Sequence, residues 1–427
     1  MLLFTLTEFS ALNTERCKPH YTNLISGNKR YIVIYYDFET LTIPVYGPVN
    51  NPNLPSSRTD SYQIHVPCAF SITVCCIWSE YQPKTIYFSH HDPETVIDEF
   101  MECINTIRAE VEAVKDTKSF KIDMTYADEV AFEVATHCYM CFKPFDESHR
   151  GFKKCRDHDH FKEFQNYRGP AHARCNRGFW YRNRKIPCVA HNSSNFDLHL
   201  IIHKLIKTAT KPPNAIPETI ERFKSFATDD FIFLDSYNFL PTSMTNLVDS
   251  LVTEAQPNNN PFKVLSREIN DSEKEELLKR KGVFCYDYAS DFTKFMDTAL
   301  PPKEAFYNTL TQEHIKQEDY DHAQNVFITF NCSNLLDYLH LYVKTDTILL
   351  ADCFESFRNL AITSFGLDPL YYISLPSYGR DAMLKVTRAE IGLISDISMW
   401  QMINRGIRGG KYSHLFCPTH NVIMPTT

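Results

Sequence analysis

"RYIVIYYDFET" (residues 30–40) decides how the rest of the chain is read. Its run of β-branched and aromatic residues predicts a buried strand. Side chains alternate across a strand, so Asp37 and Glu39, two apart, point to one face. Two acids at the end of an apolar strand are costly unless they are solvated or bound to cations. Asp-x-Glu is common by chance, and taken alone a strand-end acidic pair without chemistry is the better reading.

Working outward, "HVPCAFSITVCCIW" (65–78) and "KTIYFS" (84–89) read as further strands. "PETVIDEFMECINTIRAEVEAV" has apolar residues at helical spacing, which makes the first third an α/β unit. The pattern stops at 137 and resumes near 186. There "IPCVAHNSSNFDLHLIIHKLI" (186–206) reads as strand, polar turn and helix, followed by a strand at "FIFLDSYNFL" (231–240). From 271 to 361 the pattern is mainly helical and includes "NLLDYLHLYVKTDTILLADCFESFRNL" (334–360). There is no internal repeat and no low-complexity tract.

A chain of 427 residues predicts two to three domains with a real core. Hydrophobic content of 43% with 22% charge is ordinary for a soluble protein. The start, MLLFTLTEF, is apolar too briefly for a signal peptide, and no apolar run is long enough for a membrane span. Fourteen Cys without a secretory signal argue for an intracellular protein with reduced thiols and a metal site. The net charge of −8 argues against a simple DNA-coating protein but hides an asymmetry. Residues 137 to 185 hold twelve Lys/Arg against five Asp/Glu, while the remainder holds 32 against 47. A basic island in an acidic chain suggests one segment that meets phosphates and others that hold cations.

Inside that island "CYMC" (138–141) is a Cys-x2-Cys knuckle, and "HARC" (172–175) supplies His-x2-Cys. Cys138, Cys141, His172 and Cys175 meet the needs of a closed, tetrahedral structural zinc. Core thiols are the alternative, but these sit among polar residues. Cys155 is a substitute ligand only in principle. Between the pairs lies "CRDHDHFKEF" (155–164), two Asp and two His in four consecutive positions.

With "YRGPAHARCN", the island resembles the endonuclease VII-like branch of the His-Asn-His nucleases over roughly residues 137 to 180. The resemblance implies His158 as the base that deprotonates a water, Asp157 and Asn176 as ligands of one magnesium, and His160 in support. A neutral imidazole beside a metal can make hydroxide near neutral pH. The alternative is a zinc-stabilised DNA-binding knob without cleavage. Because the island is embedded in another domain, binding is weighed above cleavage.

Two features change the reading of the acidic pair. "HNSSNFDLHL" places Asp197 at a strand-to-helix junction behind His191 and Asn192, and "LYVKTDTILL" puts Tyr342 and Asp346 four apart on one helix face. The set resembles the proofreading 3′→5′ exonuclease domain of family B DNA polymerases. Its motifs are Asp-x-Glu (Asp37/Glu39), Asn-x2-3-Phe/Tyr-Asp (Asn192/Phe196/Asp197) and Tyr-x3-Asp (Tyr342/Asp346). That implies an α/β, ribonuclease H-like exonuclease domain with a small zinc-binding ββα-type insert and a mainly helical C-terminal part. Asp37, Glu39, Asp197 and Asp346 would hold two Mg2+ or Mn2+ ions, and His191, Asn192 and Phe196 would contact frayed single-stranded DNA.

Further stretches, among them "LLKRKGVFCYDY", "LPPKEAFYNTL" and "LDPLYYISLPSYGRDAMLK", look like the protein-primed branch of viruses, linear plasmids and large transposons. Polymerases of this branch often carry such a zinc insert between the first two exonuclease motifs. The expected domains are 1–136 and 186–360 for the exonuclease, 137–185 for the insert and 361–427 for the start of a polymerase domain. In "GIRGGKYS", Arg408, Gly409 and Gly410 resemble the element that holds template near the primer end. Arg380 before Asp381 departs from the branch, which usually has an aromatic there. No Asp-Thr-Asp and no nucleotide-binding stretch occurs, so the chain is expected not to polymerise DNA and reads as the N-terminal portion of such an enzyme. Implied partners are single-stranded and primer–template DNA and a terminal priming protein. The competing readings are a non-catalytic, mobile-element-derived DNA-binding zinc protein and an endonuclease acting through the insert.

Overall fold

The computed structural model describes residues 29–45, 63–117, 120–182, 185–219, 222–256, 260–309, 311–387, 389, 394 and 396–406. Strand β1 (Ile32–Pro44) is the quoted stretch, and it is buried along nearly its whole length. It pairs antiparallel with β2 (Gln63–Cys76), which pairs antiparallel with β3 (Thr85–Ser89). On its other side β1 meets β6 (Ile186–Ala190) in parallel, and β6 meets β9 (Phe231–Asp235) in parallel. The antiparallel β8 (Phe223–Ala227) and β7 (Asn214–Pro217) finish a mixed seven-stranded sheet of order β3-β2-β1-β6-β9-β8-β7.

A central strand must be covered on both faces, which explains its unbroken apolar run. Ile32, Ile34, Tyr36 and Phe38 enter the core with Val96, Phe100, Ile104 and Ile107 of α1 (Pro93–Thr117) and Leu198, Ile201 and Leu205 of α4 (Asp197–Thr208). The odd-numbered residues of β1 face the opposite layer, covered by the long helix α9 (Leu335–Phe365). There Tyr35 packs on Phe354, and Thr347 bonds Ser71 and Thr73 of β2 at 2.8 and 3.0 Å. Asp37 and Glu39 therefore emerge on the α9 side.

Short helices α5 (Met244–Glu254) and α6 (Lys263–Glu268) precede the stretch 271–361 that the pattern marks as mainly helical. Within it α7 (Ser272–Leu278), α8 (Gln317–Thr329) and α9 are helices, while the segment between α7 and α8 forms short 3-10 turns instead. Helix α9 ends at a left-handed Gly366 (φ 60°), and α10 (Leu375–Thr387) follows. The sheet and the helices up to Met383 belong to one compact unit, and α11 (Ile397–Gly406) to a second. No described helix is long and apolar enough to cross a membrane.

The basic island folds as a hairpin of β4 (Lys154–His158) and β5 (Tyr167–His172) followed by α3 (Ala173–Arg182). Its contacts begin before residue 137. Helix α2 (Tyr126–Val134), closed by a Thr125–Asp128 capping box, packs on β5, and Arg156 lies 4.1 Å over the Phe132 ring. Asp159 docks the island on the start of β1. It accepts from the Tyr31 hydroxyl at 3.1 Å and pairs with Arg168 at 2.8 Å, beside the Tyr31–Trp78–Phe161 ring cluster. The island thus sits at the N-terminal end of β1; Asp37 and Glu39 lie in mid-strand and not at its end as the sequence suggested, because pairing with β2 continues to Pro44.

Candidate functional site

Strand β1 delivers Asp37 and Glu39 to one face by its period of two, and α9 delivers Asp346 to the same place. One carboxylate oxygen from each of the three lies within 4.8 Å of the others. Asp197, in the first turn of α4, stands outside that group of three but lines the same cavity. Pairing of β1 with β6 covers Ile34 and Tyr35, and further along the Phe38 N–H donates to Asp197 Oδ1 at 3.1 Å. All four acids line one cavity of about 360 Å3, with Thr40, His65, His191, Asn192, Phe196 and Lys281.

The turn that places Asp197 is built by a residue the sequence reading passed over. Asp235, at the end of β9, accepts from the backbone N–H of Asn192 (2.8 Å), Ser194 (3.0 Å) and Tyr237 (2.9 Å). Asn192 takes the left-handed conformation (φ 62°), which asparagine tolerates. His191 has Ser236 Oγ and the Thr242 carbonyl each 2.9 Å from its ring nitrogens, so both are engaged within the protein. Phe196 lies at the cavity wall with the His65 ring edge-on at 5.6 Å, and His65 Nδ1 is 3.0 Å from Thr40 Oγ1.

Glu39, Asp197 and Asp346 are 6%, 1% and 8% exposed. Burial, reinforced by the neighbouring carboxylates, holds the Asp37 carboxyl far above its usual range. Glu39 is pushed up to about 8 by burial and by Asp346, and Asp197 to about 7 by burial. Asp346 is raised by burial against the pull of Lys281. Among the described residues, the cation that faces this cluster is Lys281. Lys281 Nζ pairs with Asp346 Oδ2 and donates to the Tyr342 hydroxyl at 2.6 Å, while Tyr286 and Tyr342 share a hydroxyl contact of 2.8 Å. Lys281 and Tyr286 lie in "LLKRKGVFCYDY", a stretch that carries part of the resemblance, but the sequence gives neither residue a role, and "KRKG" alone has the look of a solvated charge run. Gly282 lets this segment approach, because a Cβ there would stand 3.2 Å from the Tyr342 ring. Asp346 Oδ1 is buried without a hydrogen-bond partner.

In the island, Cys138, Cys141, His172 and Cys175 converge, each offering a ligand atom within 4.8 Å of the rest. His172 Nε2 lies 3.0 Å from the Pro144 carbonyl, which leaves Nδ1 turned to Cys141 Sγ (3.2 Å) and Cys175 Sγ (3.8 Å). An imidazole held through one nitrogen and open at the other is the usual posture of a metal ligand, and three thiols with one imidazole could hold a zinc. Cys155 stands outside the four and contacts Asn176 Nδ2 at 3.6 Å. Every described cysteine is a free thiol.

No known protein family, curated protein or solved structure matches this chain.

Within the hairpin, Asp157 is fully buried and accepts from the Tyr139 hydroxyl through Oδ2. Asp157 Oδ1 and Asn176 Oδ1 are both buried without partners. His158 and His160 stack at 4.1 Å, and burial lowers the His160 pKa. Arg408, Gly409 and Gly410 lie outside the described residues.

Proposed function

We propose that this chain is a divalent-metal-dependent 3′→5′ exonuclease of ribonuclease H-like fold, the N-terminal part of a protein-primed family B DNA polymerase. The observation that carries the reading is the meeting of Asp37, Glu39 and Asp346 in the cavity that Asp197 also lines. Three buried acids beside a half-buried fourth are stable only if protonated or neutralised by cations, and an orphaned Asp346 oxygen is consistent with a missing partner. The sheet order supports the fold assignment, with three antiparallel strands continued by a parallel pair and acids on the central strand and on helices beside it.

Asp37, Glu39, Asp197 and Asp346 would hold two Mg2+ or Mn2+. Such ions lower the pKa of an attacking water and stabilise charge on the leaving oxygen. The chain's own groups do the positioning. The Tyr342 hydroxyl, fixed by Tyr286 and Lys281, orients a water beside Asp346. Lys281 brings a positive charge to meet the scissile phosphate, and Phe196 offers a ring on which the terminal base stacks. Single-stranded DNA ends are the proposed substrate, with primer–template DNA and a priming protein as partners of the intact polymerase.

A second reading concerns the island, and the orphaned oxygens of Asp157 and Asn176 favour it. Two unpartnered oxygen ligands suit a hard divalent cation, and His158 follows Asp157 on β4, so the island reads as a zinc-stabilised element with a separate cation site for contact with, or cleavage of, a DNA backbone. The test of the main reading is a 3′-labelled single-stranded oligonucleotide incubated with Mn2+. Stepwise release of mononucleotides that disappears in Asp37→Ala/Glu39→Ala supports it. An oligonucleotide bound but left intact supports a non-catalytic DNA-binding protein instead.

A further inference from the structure

We infer that Tyr139 is a positioning residue through which the Cys138/Cys141/His172/Cys175 cluster sets up the Asp157–Asn176 cation site of the island. The inference rests on the second reading above. Tyr139 lies between Cys138 and Cys141, so closing the four-ligand cluster fixes its backbone, and its N–H donates to the Pro170 carbonyl at 2.9 Å. Its ring lies flat against Gly169. A Cβ on Gly169 would stand 2.9 Å from two ring carbons, and the residue has φ +150°, so a glycine is needed for the ring to reach its place. From there the hydroxyl donates to Asp157 Oδ2. One fixed oxygen fixes the plane of a carboxylate and hence the direction of the other, and Asp157 Oδ1 is the buried, unpartnered atom.

Asn176 is set in the same way from the other knuckle. It follows the ligand Cys175 on α3, its Nδ2 is directed to Cys155 Sγ at 3.6 Å, and its Oδ1 is left buried without a partner. Cys155 and Asp157 lie two apart on β4 and so share a face, which brings Asn176 to the side of the strand that carries Asp157. The His172 N–H donates to Cys138 Sγ at 3.3 Å and joins the knuckles. Three soft sulfurs with an imidazole on one side, and two oxygens on the other, divide the two metals by chemistry.

The test is a Mn2+ titration read by electron paramagnetic resonance on the full chain, zinc retained, in an Asp37→Ala/Glu39→Ala background that disables the main cavity. Asp157→Asn is the reference for loss of the island site. Tyr139→Phe keeps the ring and its contact with Gly169 and removes only the hydroxyl. The expected result is an unchanged zinc content with Mn2+ affinity weakened about tenfold or more, the usual cost of losing the group that orients a metal ligand. Mn2+ binding that Asp157→Asn abolishes but Tyr139→Phe leaves unchanged overturns the role of Tyr139 alone. Binding that Asp157→Asn also leaves unchanged, or no binding at all, removes the cation site and the inference with it.

Discussion

Manganese should stabilise this protein more strongly the higher the pH. Without a cation, Glu39 holds its proton up to about pH 8 and Asp197 up to about 7, whereas the ordinary values are 4.5 and 3.8. Because the folded values are raised, the stability these groups contribute is fully present at low pH and drains away as pH climbs through that window. A tenfold change in proton affinity is worth about 1.4 kcal/mol, so the two groups together remove several kcal/mol by pH 8. That is a large part of the ~5–15 kcal/mol that holds a typical domain folded. A divalent ion repays the loss by binding the ionised form, and at 100 times its dissociation constant it returns about 2.7 kcal/mol. The assay is thermal unfolding between pH 5.5 and 8.5 in resin-treated, chelator-free buffer that leaves thiolate-bound zinc in place, with and without Mn2+. The melting temperature should fall with pH when Mn2+ is absent, and Mn2+ should restore roughly 5 °C at pH 8 and little at pH 5.5. In Asp37→Ala/Asp346→Ala both dependences should shrink. A melting temperature that is flat or rises over this range, or a Mn2+ effect that survives the double substitution, refutes the reasoning.

Lys281→Met removes the cation that pairs with Asp346 and should cost about 3 kcal/mol in denaturant unfolding of the metal-free protein, with Mn2+ recovering most of it. Tyr342→Phe should preserve stability and DNA affinity while slowing 3′-end release roughly a hundredfold in single-turnover assays, since it loses the hydroxyl that orients the water. Cys138→Ser should bring zinc below one per chain by mass spectrometry and expose residues 154 to 172 to hydrogen exchange, while the sheet core stays protected.

Much of this arrangement is legible in single residues. The unbroken apolar run before Asp37 marks a strand covered on both faces, and the two-residue step to Glu39 puts both acids toward one layer. The four-residue step from Tyr342 to Asp346 does the same for a helix. What escapes a linear reading is whatever tertiary contact alone defines. Lys281 lies in a stretch that the resemblance covers, but its charged run gives it no role until Gly282 brings it against Tyr342. Asp235 resembles any strand-end acid until its two oxygens take up the N–H groups of the turn before Asp197. Strands β7, which ends at Pro217, and β8, with Lys224 and Ser225 side by side within it, are too short to give an alternating pattern. Helix α2 shows nothing in sequence of its attachment to the hairpin, which Arg156 over Phe132 and the Lys154 bonds to the end of the helix create.

The most direct measurement is anomalous X-ray scattering from a crystal soaked in Mn2+. Two manganese peaks about 3.5–4 Å apart, ligated by Asp37, Glu39, Asp197 and Asp346 with Lys281 displaced from Asp346, are the predicted result. A cavity that takes up no manganese at saturating concentration, with Lys281 still paired to Asp346, would contradict the account at its root.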